Sequence, residues 1–471
     1  MTFLRNSDRR LGESPIGVLV FASILACLFA YWITNPSDLA RYMPDTTSYM
    51  RFDPYRGAAY PFFLWLSQAI GFDEGGIVHL QLLLFFAGLG WLGLSLMTRV
   101  ASLTAGIALL IGIGANPLIV QYCFSLITES LFFSSLMTVC GFLLRRGLFE
   151  SRRCLGAVGA LFIWMILIKP VAWAFIAIPV MLIAYMILTR QFRLLIPFIA
   201  AMGLMFFAGS AYRFQVHGQW FPGSFLGNQL IGKLAFADFD ADQTPYPRSA
   251  HHWHTLMKPA RDARDDYMET LSMRFIFSLN IYDYLRFQKM PEILQQSSVP
   301  PDQHGSALTE LAYSIIAQSP EDYAADVWMN WYALWAFSQF QPPELSHRYN
   351  RNLDRISPPL PDGIIPYRLG QQNPLVVFGI RSFLGLAFLI NMGVLVFFLH
   401  RLVIRKQVCQ KLLSLATVAL MAQGYLLLTA LLQAGLIRYA IAVWPIHLLL
   451  VIAVLIALFD DLLERQSRTL F

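Results

Sequence analysis

Long stretches without Asp, Glu, Lys or Arg dominate the chain. They run over 14–37, 75–98, 100–128, 130–144, 154–168, 170–189, 194–212, 382–400, 412–437 and 439–459. The eighth starts earlier, near Pro374, with Arg381 at its outer end. A helix crossing about 30 Å of hydrocarbon at about 1.5 Å per residue needs roughly 20 apolar residues. The pattern therefore predicts an all-α polytopic membrane protein with ten transmembrane helices. The first run is 24 residues long, the length of an uncleaved anchor and not of a signal-peptide core of about 7–15 residues. Ile24-Leu25-Ala26-Cys27 loosely resembles a lipoprotein cleavage box, but cutting there would remove a span that the remaining topology needs.

The connections set the orientation. Arg5, Arg9 and Arg10 precede the first run, and Arg99 follows the second. Arg145, Arg146, Arg152 and Arg153 separate the fourth and fifth, and Arg190 and Arg193 the sixth and seventh. Arg401, Arg405, Lys406 and Lys411 separate the eighth and ninth. With both termini cytoplasmic, all of these clusters fall inside, as the positive-inside rule requires. In a bacterium this places the protein in the plasma (inner) membrane with its loops facing the periplasm. In a eukaryote the same face is the ER lumen.

Composition agrees. Of 471 residues, 56% are hydrophobic and 14% charged, against about 45–50% and about 25% in soluble domains. That excludes a disordered chain and argues against an ordinary soluble enzyme. The net charge of +6 resides largely in the cytoplasmic connections, so it reports orientation and not a nucleic-acid partner. Five cysteines without paired spacing form neither a disulfide framework nor a zinc site. Three parts follow: a seven-helix module over 1–212, which includes a first outer loop at 38–74; an outer segment over 213–373, rich in Pro, Tyr, Trp and Phe and free of cysteine; and three C-terminal helices over 374–471.

Several charges stand where an apolar bundle should have none. The fourth and fifth runs have 15 residues each, which reach only about 22 Å as helices. Crossing the membrane draws their outer bounding residues, Glu129 and Lys169, into its edge, where ionisable groups are functional candidates. Each also has a plain reading. Thr128-Glu129-Ser130 is a helix start that the dipole favours, and Lys169 ahead of Pro170 can snorkel outward. The first outer loop adds Asp45 and Arg56, and Arg438 opens the tenth run at the same side. Two carboxylates and three cations thus gather from distant parts of the chain, a set suited to a lipid phosphate and a base.

The motifs carrying these residues are "PDTTSY" at 44–49, "RGAAYPFFL" at 56–64, "NPLIVQYCFSLITESLFF" at 116–133, "KP" at 169–170 and "IRYAIAVWPI" at 437–446. In this order and on one membrane side, they resemble the GT-C glycosyltransferases that use polyprenyl-phosphate sugars. That group includes the protein O-mannosyltransferases and the bacterial aminoarabinose and galacturonic-acid transferases. The resemblance covers the first seven spans and the last. It implies a GT-C-like fold and a polyprenyl-phosphate-linked sugar donor. Asp45 becomes the catalytic base, and Arg56, Lys169 and Arg438 become donor-phosphate ligands. The protein-mannosylating branch carries adjacent Asp-Glu where this chain has Asp45-Thr46, which argues against that branch. Asp53 and Tyr60 are secondary candidates.

The residue types suit that chemistry. A carboxylate can take the proton of an acceptor hydroxyl as the bond to the sugar forms, while Arg and Lys stabilise the leaving lipid phosphate. One base and direct displacement invert the anomeric centre. Glu129 is compatible with positioning the acceptor, orienting a cation or holding a divalent metal ion, the one candidate cofactor. The acceptor is an envelope glycolipid, polysaccharide or protein.

Other motifs carry less. Asp238, Asp240 and Asp242 form an Asp-x-Asp pattern read as a solvated acidic loop, because the glycine and terminal Glu of a calcium loop are missing. His251, His252 and His254 lack supporting ligand spacing. Ser319-Pro320-Glu321-Asp322 starts a helix that carries Trp328, Trp331, Tyr332 and Trp335, an interfacial pattern. Cys123 has no nearby His and reads as packing. Two other functions fit the outline: a transporter or flippase of lipid-linked sugars, and a non-catalytic envelope-assembly protein. Against the transporter stand the large outer segment and the lack of a paired internal repeat.

Overall fold

A computed structural model of the chain describes residues 14–36, 42–43, 45–145, 148, 151–221, 226–233, 256, 258–259, 261–262, 289–300, 303–336, 340–341, 370–371, 373–404, 410–432 and 437–469. The acidic loop at 238–242 and the histidines at 251–254 lie outside these residues. In chain order the helices are α1 (Pro15–Thr34), α2 (Thr46–Met50), α3 (Ala59–Ala69), α4 (Glu74–Val100), α5 (Leu103–Gly114), α6 (Pro117–Val120), α7 (Glu129–Leu144), α8 (Arg152–Ile168), α9 (Ala177–Leu188) and α10 (Leu195–His217). They continue with α11 (Leu226–Lys233), α12 (Met290–Gln296), α13 (His304–Gln318), α14 (Pro320–Ala336), α15 (Pro374–Val403), α16 (Gln410–Leu432), α17 (Ile437–Ala442) and α18 (Trp444–Thr469). Among the described residues, the extended structure is a parallel pairing of β1 (Phe340–Gln341) with β2 (Gly370–Gln371).

The chain is a helical membrane protein. Among the described residues, six helical segments are long and apolar enough to cross a bilayer: Pro15–Thr34, Glu74–Val100, Pro170–Leu188, Phe192–His217, Pro374–Val403 and Gln410–Leu432. A seventh arises if Leu103–Gly114 and Pro117–Phe124, bent by 56°, form one span. The ten expected spans are therefore met by six or seven on length. The remaining runs fold as α7, with 16 residues, α8, with 17, and the apolar part of α18, Trp444–Leu458. The bend in the third run has a local cause. Asn116 precedes Pro117, and Pro biases the residue before it away from helix. The chain therefore breaks inside its longest charge-free run. Asn116 caps the next turn by accepting from the Leu118 amide at 3.0 Å. The Gly114 carbonyl at the break takes the Trp32 indole at 2.7 Å.

Helix starts follow their caps. Ser14 accepts from the Gly17 amide at 3.0 Å ahead of Pro15, and Asp73 accepts from Gly76 at 2.7 Å ahead of Glu74. Ser102 and Ser151 cap α5 and α8 in the same way, each satisfying an amide that the first turn leaves open.

The chain folds as two compact units. One comprises Met1–Pro222, Leu386–Tyr425 and Ile441–Phe471; the other comprises Gly223–Gly385 and Leu426–Ala440. In the first unit α4 is the central helix, packed on α1, α5 and α7, while α8 packs on α7 and α10. Leu82, Phe85, Leu89 and Leu96 of α4 are fully buried, as are Phe132, Phe133 and Leu136 of α7. Association inside a membrane rests on close packing, because lipid is as apolar as the side chains. Gly88 permits that closeness: a Cβ there would stand 2.6 Å from the Ser134 carbonyl oxygen of α7.

The second unit has a core of its own, built by Leu230 and Ile231 of α11, Met290 and Ile293 of α12, and Leu308, Leu311 and Ile315 of α13. Within it Lys233 and Asp326 form a buried ion pair, and Asn330 donates to Asp326 Oδ1 at 2.9 Å. Burial pushes the Lys233 ammonium pKa down, and the facing carboxylate works against that shift. On α14 the aromatic face divides. Trp335 is buried in the unit, whereas Trp328 and Tyr332 stay exposed. Replacing Gly88 with Val should separate α4 from α7 and cost about 1–3 kcal/mol, read as a lowered thermal midpoint of the detergent-solubilised protein.

Candidate functional site

Four of the sequence candidates meet in the first unit as two ion pairs. Arg56 Nη2 donates to Asp45 Oδ1 at 2.6 Å, and Lys169 Nζ to Glu129 Oε1 at 3.0 Å. Between them lies Tyr49, a residue the sequence reading did not single out. Its phenol is buried and feels the charges of Arg56, Asp45, Glu129 and Lys169 together. Burial, with Asp45 and Glu129, raises the Tyr49 pKa, while Arg56 and Lys169 oppose the rise. For Arg56, burial acts to lower the pKa, but Tyr49 and Asp45 outweigh it and hold the guanidinium firmly protonated.

The loop between α1 and α4 is folded tightly to make this possible. Asp45 stands at the start of α2, and Tyr49 follows one turn later. The chain then turns back: the Phe52 amide donates to Tyr49 O, the Asp53 amide to Ser48 O, and the Arg56 amide to Asp53 O. This return places the Arg56 guanidinium over Asp45, with Nε donating to Ser48 Oγ at 2.9 Å and Nη1 to the Tyr49 hydroxyl at 3.0 Å. Asp53, a secondary candidate, accepts from the Tyr55 hydroxyl at 3.0 Å and so shapes the turn. At the next residue, a Cβ on Gly57 would collide with the Leu167 carbonyl. Only glycine lets the Arg56 loop rest on the end of α8, just before Lys169.

Glu129 and Lys169 are placed by helix ends. Glu129 is the first residue of α7, and Lys169 follows the last residue of α8, where Pro170 stops the helix. The second Glu129 oxygen accepts from Thr128 Oγ1 at 3.2 Å. The segment before α7 is not regular helix, so its buried carbonyls need partners. Gln81 of α4 supplies them, donating to Cys123 O at 3.1 Å and Ser125 O at 2.9 Å. Thr46 donates to Leu126 O at 3.0 Å, tying the residue beside Asp45 to the same segment. Tyr60, the other secondary candidate, is fully buried and donates to Gln81 Oε1 at 2.8 Å. It braces Gln81. Cys123 is buried packing beside this relay.

Exposure separates the roles. The Asp45 side chain is 35% accessible, Arg56 20%, Lys169 13% and Glu129 6%. Asp45 is the most accessible of the four, whereas the buried Glu129 holds Lys169. Among the described residues, no three of His, Cys, Asp and Glu gather as metal ligands. Glu129, the residue offered for a divalent ion, is engaged by Lys169 and Thr128. Arg438 belongs to the second unit, where it donates to the Tyr439 hydroxyl at 3.1 Å and lies 5.0 Å from that ring's centroid.

Tyr49 and Gln81 carried weak signals: a tyrosine one helical turn beyond Asp45, and a lone amide inside an apolar run. Arg213 is the third residue missed. Its charge terminated the seventh run at 212, yet α10 continues through it to His217.

Comparison with family models, with curated proteins and with solved structures gave no significant match. The geometry therefore carries the functional argument.

Removing one member of the Lys169–Glu129 pair should cost about 3–5 kcal/mol, because the other charge is left buried alone. Lys169→Met and Glu129→Gln should each lower the thermal midpoint, and the double variant should recover part of the loss. Tyr60→Phe should lower stability by about 1–3 kcal/mol by stranding Gln81, with the ion pairs intact.

Proposed function

We propose that the protein is a membrane glycosyltransferase of the GT-C kind. It moves a sugar from a polyprenyl-phosphate donor to an envelope glycolipid, polysaccharide or protein acceptor on the outer side of the membrane. One observation carries this reading: an accessible carboxylate, Asp45, shares a compact site with two cations, Arg56 and Lys169, inside an otherwise apolar bundle.

Each group has a task. Asp45 takes the proton of the acceptor hydroxyl as its oxygen bonds to the anomeric carbon. The bond from that carbon to the donor phosphate breaks on the opposite side, which inverts the centre. Arg56 and Lys169 stabilise the charge that develops on the departing polyprenyl phosphate, an effect enhanced where water is scarce. Glu129 orients Lys169, and Tyr49 orients Arg56. Arg438 is proposed as a further phosphate ligand on the strength of the sequence resemblance.

The test is sugar transfer in membranes from a deletion strain carrying wild-type or Asp45→Asn protein at matched expression, with a labelled polyprenyl-phosphate sugar pool and product mass as readout. Asp45→Asn should lower transfer about 10²–10⁴-fold, and Lys169→Ala about 10²–10³-fold. Equal product from wild type and Asp45→Asn removes Asp45 as the base. No covalent product from either, while lipid-linked sugar still crosses the bilayer, favours a transporter instead.

A further inference from the structure

Arg213 is buried in a helix otherwise apolar enough to span a membrane, and among the described residues no carboxylate pairs with it. Both arms of its guanidinium grip backbone: Nη1 donates to Pro54 O at 2.6 Å, and Nη2 donates to Arg56 O. Such a planar fork holds two carbonyls in a fixed mutual geometry, which the point-like ammonium of a lysine does not impose. The guanidinium also lies 5.2 Å from the Phe52 ring centroid. Phe52 has φ +50°, a left-handed backbone that a bulky residue adopts at a cost. Its ring is held from the same helix, stacked on Tyr212 at 5.4 Å and edge-on to His217 at 4.6 Å. Strain of this kind persists where surrounding structure enforces it, and it concentrates at functional sites.

The C-terminal end of α10 therefore fixes the 52–56 turn at three points. We propose that Arg213 is a positioning residue, clamping the carbonyls of Pro54 and Arg56 so that the Arg56 guanidinium is presented to Asp45 and to an incoming phosphate group. The clamp itself stands on geometry. Its consequence for phosphate rests on the function proposed above.

Two readouts on the full-length protein in vesicles test it: hydrogen exchange of the 52–57 amides, and binding of polyprenyl phosphate without a sugar. In Arg213→Met, exchange over 52–57 should rise about tenfold or more, since charged hydrogen bonds are lost, while α4 and α7 stay protected. Phosphate affinity should fall as far as in Arg56→Ala, with no further loss in the double variant, the mark of residues acting as one unit. Arg213→Lys, which keeps the charge but loses the fork, should fall between and serves as the test if Arg213→Met does not fold. Unchanged exchange over 52–57, or losses that add in the double variant, would overturn the proposal. If Arg56→Ala binds phosphate normally while Arg213→Met still loosens the turn, the clamp stands and the phosphate role of Arg56 is what fails.

Discussion

An unpaired charge or carbonyl inside an apolar helix bundle is the state this chain is built to avoid. Moving such a group out of water costs several kcal/mol unless a partner replaces the lost hydration. The groups that build the site have such partners. Glu129 has Lys169 and Thr128, the irregular backbone at 123–126 has Gln81 and Thr46, and the turn at 54–56 has Arg213. The same requirement that keeps these groups tolerable also locks them in position.

It follows that the site's support is as polar as the site. Gln81 is a hub: its amide nitrogen binds two carbonyls, its amide oxygen takes Tyr60, and its own backbone carbonyl takes Ser130 at 3.2 Å. Glu129 begins the helix that leaves this hub, so its position depends on a side chain in another helix. The second unit applies the same rule, with Lys233 neutralised by Asp326 and Asn330 completing the carboxylate's bonding.

Much of the site could be read from the sequence because its charges stand out against apolar runs. Asp45, Arg56, Glu129 and Lys169 were visible for that reason, and so was the helical membrane fold. What could not be read is contact. Nothing in the spacing says that Arg56 folds back onto Asp45, or that Lys169 meets Glu129 across 40 positions. Tyr49 and Gln81 were missed because uncharged polar residues look ordinary in a chain of this composition. Arg213 was missed because a charge was taken as the end of a helix, whereas backbone carbonyls allow it to remain inside one. Charge-free length likewise does not register an Asn-Pro break: the 100–128 run reads as continuous, yet it bends by 56° near Asn116.

The two ion pairs balance in sign. Asp45 and Glu129 contribute two negative charges, Arg56 and Lys169 two positive ones, and the resting quartet sums to zero. A neutral quartet is cheap to enclose, but it holds no surplus cation with which to greet an anion. On the function proposed above, a phosphate that settles there would do so by substitution, taking over a cation from its carboxylate. Asp45, the more accessible of the two acids, would be the one to yield its cation, Arg56.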